Sequence, residues 1–146
     1  MTALRWWMRL VGTFYLLLFV MVTFLLMPIR AEGPAGALEL AVAGDPMARF
    51  LVETWVTLGL EFGVIGAALL MASRMPHQAR ALVWTIMGLE LGRIGIDVYK
   101  ITRGHELTGM AIWIVIHSVI IGTGFLSLKR QGAEAGAERQ LNVSTR

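Results

Sequence analysis

The stretch ALVWTIMGLELGRIGIDVYKI, residues 81–101, decides how the whole chain is read. It is as long as the roughly 20 residues a helix needs to cross a bilayer. Yet it carries Glu90, Arg93, Asp97 and Lys100. At about 100° per residue these four fall within roughly 80° of one another, an acid–base–acid–base stripe on one helix face. In a soluble protein such a stripe is most often a solvated face. What flanks it argues otherwise.

Three further blocks, residues 7–29, 50–72 and 110–128, are long and apolar. Hydrophobic residues make up 56% of the 146-residue chain and charged residues only 16%, with a mean hydropathy of +0.66. Soluble domains carry about 45–50% apolar and about 25% charged residues. The predicted fold is therefore all-α: a four-helix transmembrane bundle, up-down-up-down with short loops. It spans residues 1–130, with helices at 7–29, 50–72, 81–101 and 110–128, and the polar tail 131–146 is expected to be disordered. Leu10 to Met27 is an apolar run of 18 residues, longer than the 7–15 of a signal-peptide core, and is read as a retained helix.

The net charge of +3 does not indicate nucleic acid, because the cations flank apolar blocks instead of forming one stripe. The absence of cysteine excludes disulfides, iron–sulfur clusters and thiol chemistry. Six cations (Arg5, Arg9, Arg74, Arg80, Lys129, Arg130) fall on one side of the predicted bundle and four (Arg30, Arg49, Lys100, Arg103) on the other. That bias places both termini in the cytoplasm, with Trp6, Trp7 and Trp84 at the inner interface and Trp55, Tyr99 and Trp113 towards the outer one.

Local signals mark the helix ends. Asp45-Pro46 reads as an N-cap followed by proline at the first helical position. Pro76 is expected to open the third helix in the same way, Gly104 to cap its C-terminus and Thr108 to cap the fourth. Within the long connection 30–49, the run after Pro34 suggests a short surface helix. Gly59-x3-Gly63-x3-Ala67 and Gly88-x3-Gly92 are small-residue stripes that allow helices to approach closely, within the chain in preference to between chains.

Ionisable residues inside spans are costly unless paired or hydrated, and so mark sites. Here they are Glu53, Glu61, Glu90, Arg93, Asp97, Lys100 and His117. Arg93 stands three residues from Glu90 and four from Asp97, the spacings at which side chains on one helix meet, so its guanidinium can bridge both. The same set can serve as a closed network that holds helix register. Against that, carboxylates outnumber bases, and the surplus implies a protonated carboxyl, a hydrated cavity or a cationic ligand. The expected site is an outward-facing acidic pocket lined by Glu53, Glu61, Glu90, Arg93, Asp97 and His117, with Trp55 and Trp113 near its mouth. No Glu-x2-His pair supports a di-iron bundle, and His77 and His105 lie in loops on opposite sides, which argues against a bis-histidine haem. No cofactor and no catalytic residue is expected; a metal ligand set is not identified.

The run Leu4-Arg5-Trp6-Trp7-Met8-Arg9, the stretch from Asp45 to Thr57 (DPMARFLVETWVT), and the block Trp84-x5-Glu90-x2-Arg93-x3-Asp97-x-Tyr99 resemble the BphX-like family. The resemblance covers nearly the whole chain up to Arg130. It implies a small bacterial four-helix membrane protein of a kind first noticed beside genes for biphenyl breakdown. By resemblance alone it also implies an association with aromatic-compound metabolism, and it transfers no binding residue. The resulting expectation is an inner-membrane protein that binds or passes a small molecule, cation or proton. The alternative is a structural or assembly subunit, with a homo-oligomer or a partner membrane protein as its context.

Overall fold

The computed structural model describes residues 2–26 and 37–144, and every regular element among them is helical. Five α-helices follow in order: α1 (Ala3–Val20), α2 (Ala37–Val42), α3 (Pro46–Ala72), α4 (Arg80–Thr102) and α5 (Leu107–Ser144). α1 continues into a wider π-helical segment, Met21–Leu26. The end of the first expected span, residues 27–29, lies outside the described residues.

Several junctions follow local chemistry. α2 ends on Gly44, whose φ of 100° suits a residue without Cβ. The Gly44 and Asp45 amides then donate to the carbonyls of Ala41 and Leu40, a double bond pattern that closes the helix end. Asp45 immediately caps α3: its Oδ1 accepts from the Ala48 amide at 2.7 Å. α4 ends in the same manner, with Gly104 at φ 84° and the amides of Gly104 and His105 donating to Ile101 and Lys100.

Two boundary expectations need correction. Pro76 does not open α4; it sits in a series of turns, and its carbonyl accepts from Ala79 just before the helix begins. Thr108 is already inside α5, which starts at Leu107. The polar stretch after Arg130, read from composition as disordered, is helical to Ser144. Ala133, Glu134, Ala137 and Glu138 are good helix formers, and no proline interrupts them.

Three helical stretches are long and apolar enough to cross a membrane: Ala3–Phe24, Pro46–Ala72 and Leu107–Glu134. α4 is not among them, because Glu90, Arg93 and Asp97 crowd into eight consecutive residues. Of the four spans expected, three are long and apolar enough by this measure.

The chain divides into two compact units, Leu10–Met71 and Met1–Arg9 with Ala72–Arg146. In the first, α1 and α3 run antiparallel and touch through glycines. A Cβ added to Gly66 would lie 2.8 Å from the Gly12 carbonyl oxygen and 3.0 Å from the Leu16 amide. One on Gly63 would press on the Phe19 ring at 3.3 Å, and one on Gly59 would run into Thr23 Oγ1. Tyr15 packs on Phe62 with ring centroids 5.7 Å apart. The close stripe is therefore Gly59–Gly63–Gly66; Ala67, one position further, is exposed.

In the second unit α4 and α5 form an antiparallel hairpin, with Trp84 edge-on to Phe125 at 6.4 Å. The start of α1 joins it through Trp7, whose Nε1 donates to the Ile120 carbonyl at 3.3 Å and to Thr123 Oγ1 at 3.1 Å. Gly124 leaves room for that indole. Trp7 is 5% exposed and so is a core residue of this unit, whereas its neighbour Trp6 is 52% exposed. The reason is the helical period: Leu4, Trp7, Met8, Val11, Tyr15, Leu18 and Val22 share the buried stripe of this segment.

Candidate functional site

The hairpin brings together five of the expected site residues: Glu90, Arg93, Asp97, His117 and Trp113. Glu90 is wholly buried on α4. Its Oε1 accepts from Arg93 Nη1 at 2.9 Å, one turn along the same helix. Its Oε2 meets His117 Nδ1 across the hairpin in a short contact. The other ring nitrogen, His117 Nε2, lies 3.5 Å from Asp97 Oδ2. That separation is long for a hydrogen bond, and Asp97 Oδ2 is buried without one. The Trp113 indole stacks on the imidazole, centroids 5.9 Å apart and planes 26° off parallel.

The result is a line of groups: guanidinium, carboxylate, imidazole, carboxylate. Sequence spacing indicates that Arg93 can bridge both acids. The structure pairs it with Glu90 and sets His117, twenty residues beyond Asp97, against both carboxylates. No spacing rule along one helix shows this, because the histidine belongs to the opposite helix.

A neutral imidazole offers one donor and one acceptor. Here Nδ1 meets Glu90 and Nε2 faces Asp97, with the Arg93 guanidinium on the other oxygen of Glu90. Opposite charges and polar groups set side by side in this way are far cheaper to bury than a lone ion.

Glu53, Glu61 and Trp55 belong to the Leu10–Met71 unit. Both glutamates are exposed and Trp55 is half-buried. Glu61 lies roughly 160–200° around α3 from Gly59 and Gly63, so the glycine contact with α1 is on the opposite side from this acid. Among the described residues no group of three or more His, Cys, Asp or Glu is arranged to hold a metal ion.

One polar contact lay outside the sequence reading. Gln131, 4% exposed, reaches His77 Nδ1 with its Nε2 at 3.2 Å, tying α5 to the turns before α4. A glutamine just after Lys129-Arg130 carries no sequence signal of burial.

The match to known proteins covers the same elements. Residues 1–133 match the family described as BphX-like. The chain belongs to that family. Uncharacterized BphX-like proteins from Burkholderia cepacia and from Paraburkholderia xenovorans (strain LB400) are each 33% identical to it over 86 residues. That match covers 56% of this chain and 59% of each relative's length. No solved structure matches the chain. The BphX-like match includes Glu90, Arg93, Asp97 and His117, so the network lies within the family region.

Proposed function

We propose that this BphX-like protein is a bacterial inner-membrane protein in which α4 crosses as the fourth span, and that its buried charge line holds and passes a proton. The single supporting observation is the imidazole of His117 standing between the carboxylates of Glu90 and Asp97. α4 is too polar to cross alone, but its acids are paired inside the hairpin with Arg93 and His117, so it crosses as the partner of α5. Asp97 stands seven residues from Glu90, about 10 Å along the helix, so the line conducts lengthwise. Both termini are cytoplasmic in this reading, by the excess of Lys and Arg at that side.

The test is reconstitution of native protein and His117→Gln in vesicles holding a pH-sensitive dye. Under an imposed pH gradient the native protein dissipates it faster than empty vesicles, and His117→Gln does not. Native protein indistinguishable from empty vesicles rejects the reading. Reporter fusions at Arg146 and near Gly36 check the topology, and an outward-facing C-terminus contradicts it.

A second reading, an assembly subunit, is favoured by a different observation. A Cβ placed on Gly88, Gly92 or Gly95 of α4 meets nothing within 4 Å. In that reading the charge line only locks the hairpin, and native protein carries no proton flux.

A further inference from the structure

Six basic residues of the second unit lie towards one of its ends, while Lys100 and Arg103 lie at the opposite end of α4. Lys129 and Arg130 on α5 precede Gln131, which is bonded to His77 in the turns before α4. Arg74 and Arg80 flank that same histidine, each three residues away. Arg5 and Arg9 bracket Trp7, whose indole is held by Ile120 and Thr123, about two turns before Lys129. Arg74, Arg80, Lys129 and Arg130 are exposed, and Arg5 and Arg9 are partly so. Among the described residues none of the six makes an ion pair, and Arg5 Nε is buried without a hydrogen bond. The described acid nearest to them in sequence is Glu134, one turn beyond Arg130 and exposed.

Depth identifies the partner. From Leu107 to Leu128, α5 rises about 33 Å at 1.5 Å per residue, close to the thickness of a bilayer core. Lys129 and Arg130 therefore emerge where headgroups begin. Trp84 is 53% exposed and Trp6 52%, aromatic residues suited to that same boundary. Juxtamembrane clusters of four to eight cations attract anionic lipid. We infer that this end of the protein, through Arg74, Arg80, Lys129 and Arg130 with Arg5 and Arg9 behind them, docks the phosphate headgroups of anionic phospholipid. The inference does not depend on proton passage. It concerns the opposite end of α4 from Asp97 and stands if the charge line proves purely structural.

The experiment measures thermal unfolding of the full chain in detergent with added phosphatidylglycerol, cardiolipin, phosphatidylcholine or inorganic phosphate. The anionic lipids raise Tm and phosphatidylcholine does not, with the largest rise for doubly charged cardiolipin. The Arg74→Gln/Arg80→Gln/Lys129→Gln/Arg130→Gln variant loses most of that rise, its apparent affinity falling roughly fivefold per cation removed. If that variant does not fold, Lys129→Gln/Arg130→Gln alone, both on the exposed surface of α5, replaces it and shows half the loss. Equal shifts with phosphatidylcholine, or an undiminished shift in the variant, overturn the inference. A full shift with inorganic phosphate also overturns it, by showing a free-anion site in place of a lipid surface.

Discussion

α3 and α4 carry the same glycine spacing, and only α3 packs a neighbouring helix through it. Gly59, Gly63 and Gly66 are closed against α1, to the point that a Cβ on Gly66 would meet backbone. Gly88, Gly92 and Gly95 on α4 face open space. What joins α4 to α5 is instead the buried line from Arg93 to Asp97 and the ring contact of Trp84 with Phe125. One interface relies on close backbone approach, the other on charge neutralisation. A small-residue stripe is thus a permission for close packing, not a sign of it.

The largest expected effect comes from breaking the charged interface. His117→Leu leaves Glu90 and Asp97 without their shared imidazole, and removing one partner of a buried ion pair costs about 3–5 kcal/mol. Detergent stability should fall accordingly, with partial recovery on adding Glu90→Gln. Arg93→Leu should follow the same pattern, with partial recovery by the same second substitution. A His117→Leu protein as stable as native would mean that the acids find other partners.

Next is the apolar interface. Gly66→Ala should destabilise by roughly 1–3 kcal/mol, the usual cost of overpacking, because the clash is with the rigid Gly12 and Leu16 backbone. Thermal unfolding reads this directly, and an unchanged midpoint would show that α1 can move away without loss.

Trp7→Phe should cost about 1 kcal/mol by removing the indole donor to Ile120 and Thr123 while filling most of the same space. The smallest effect has the opposite sign. Gly92→Ala should be neutral or stabilise by up to about 0.5–1 kcal/mol, since it improves helix propensity and meets nothing. Measured beside Gly66→Ala, it tests the comparison most directly. A strong loss at Gly92, or altered oligomeric state, would show that this face is occupied in the membrane.

Much of this was legible from sequence. The apolar blocks, the Asp45 cap and the Gly104 terminus depend on neighbours within a few residues, and they formed as local chemistry requires. The stripe of Glu90, Arg93 and Asp97 on one helix face follows from helical period alone. Composition misread the stretch after Arg130 because polarity and helix formation are different properties. Pro76 and Thr108 were misplaced because a cap residue signals a boundary without locating it within a turn.

The amino-acid sequence by itself determined that this chain is helical, that it holds apolar blocks long enough to cross a membrane, and that α4 carries charge needing partners. Only the tertiary structure decided which partners those are. Along one helix the period relates every side chain to every other, so Glu90 and Arg93 were paired on spacing alone. Between helices, contact depends on rotation about each axis and on relative shift, and neither is encoded in spacing. That is why His117 as the group between two acids, Trp7 as a core residue, and the closing of one glycine stripe but not the other emerged only when the helices were set side by side.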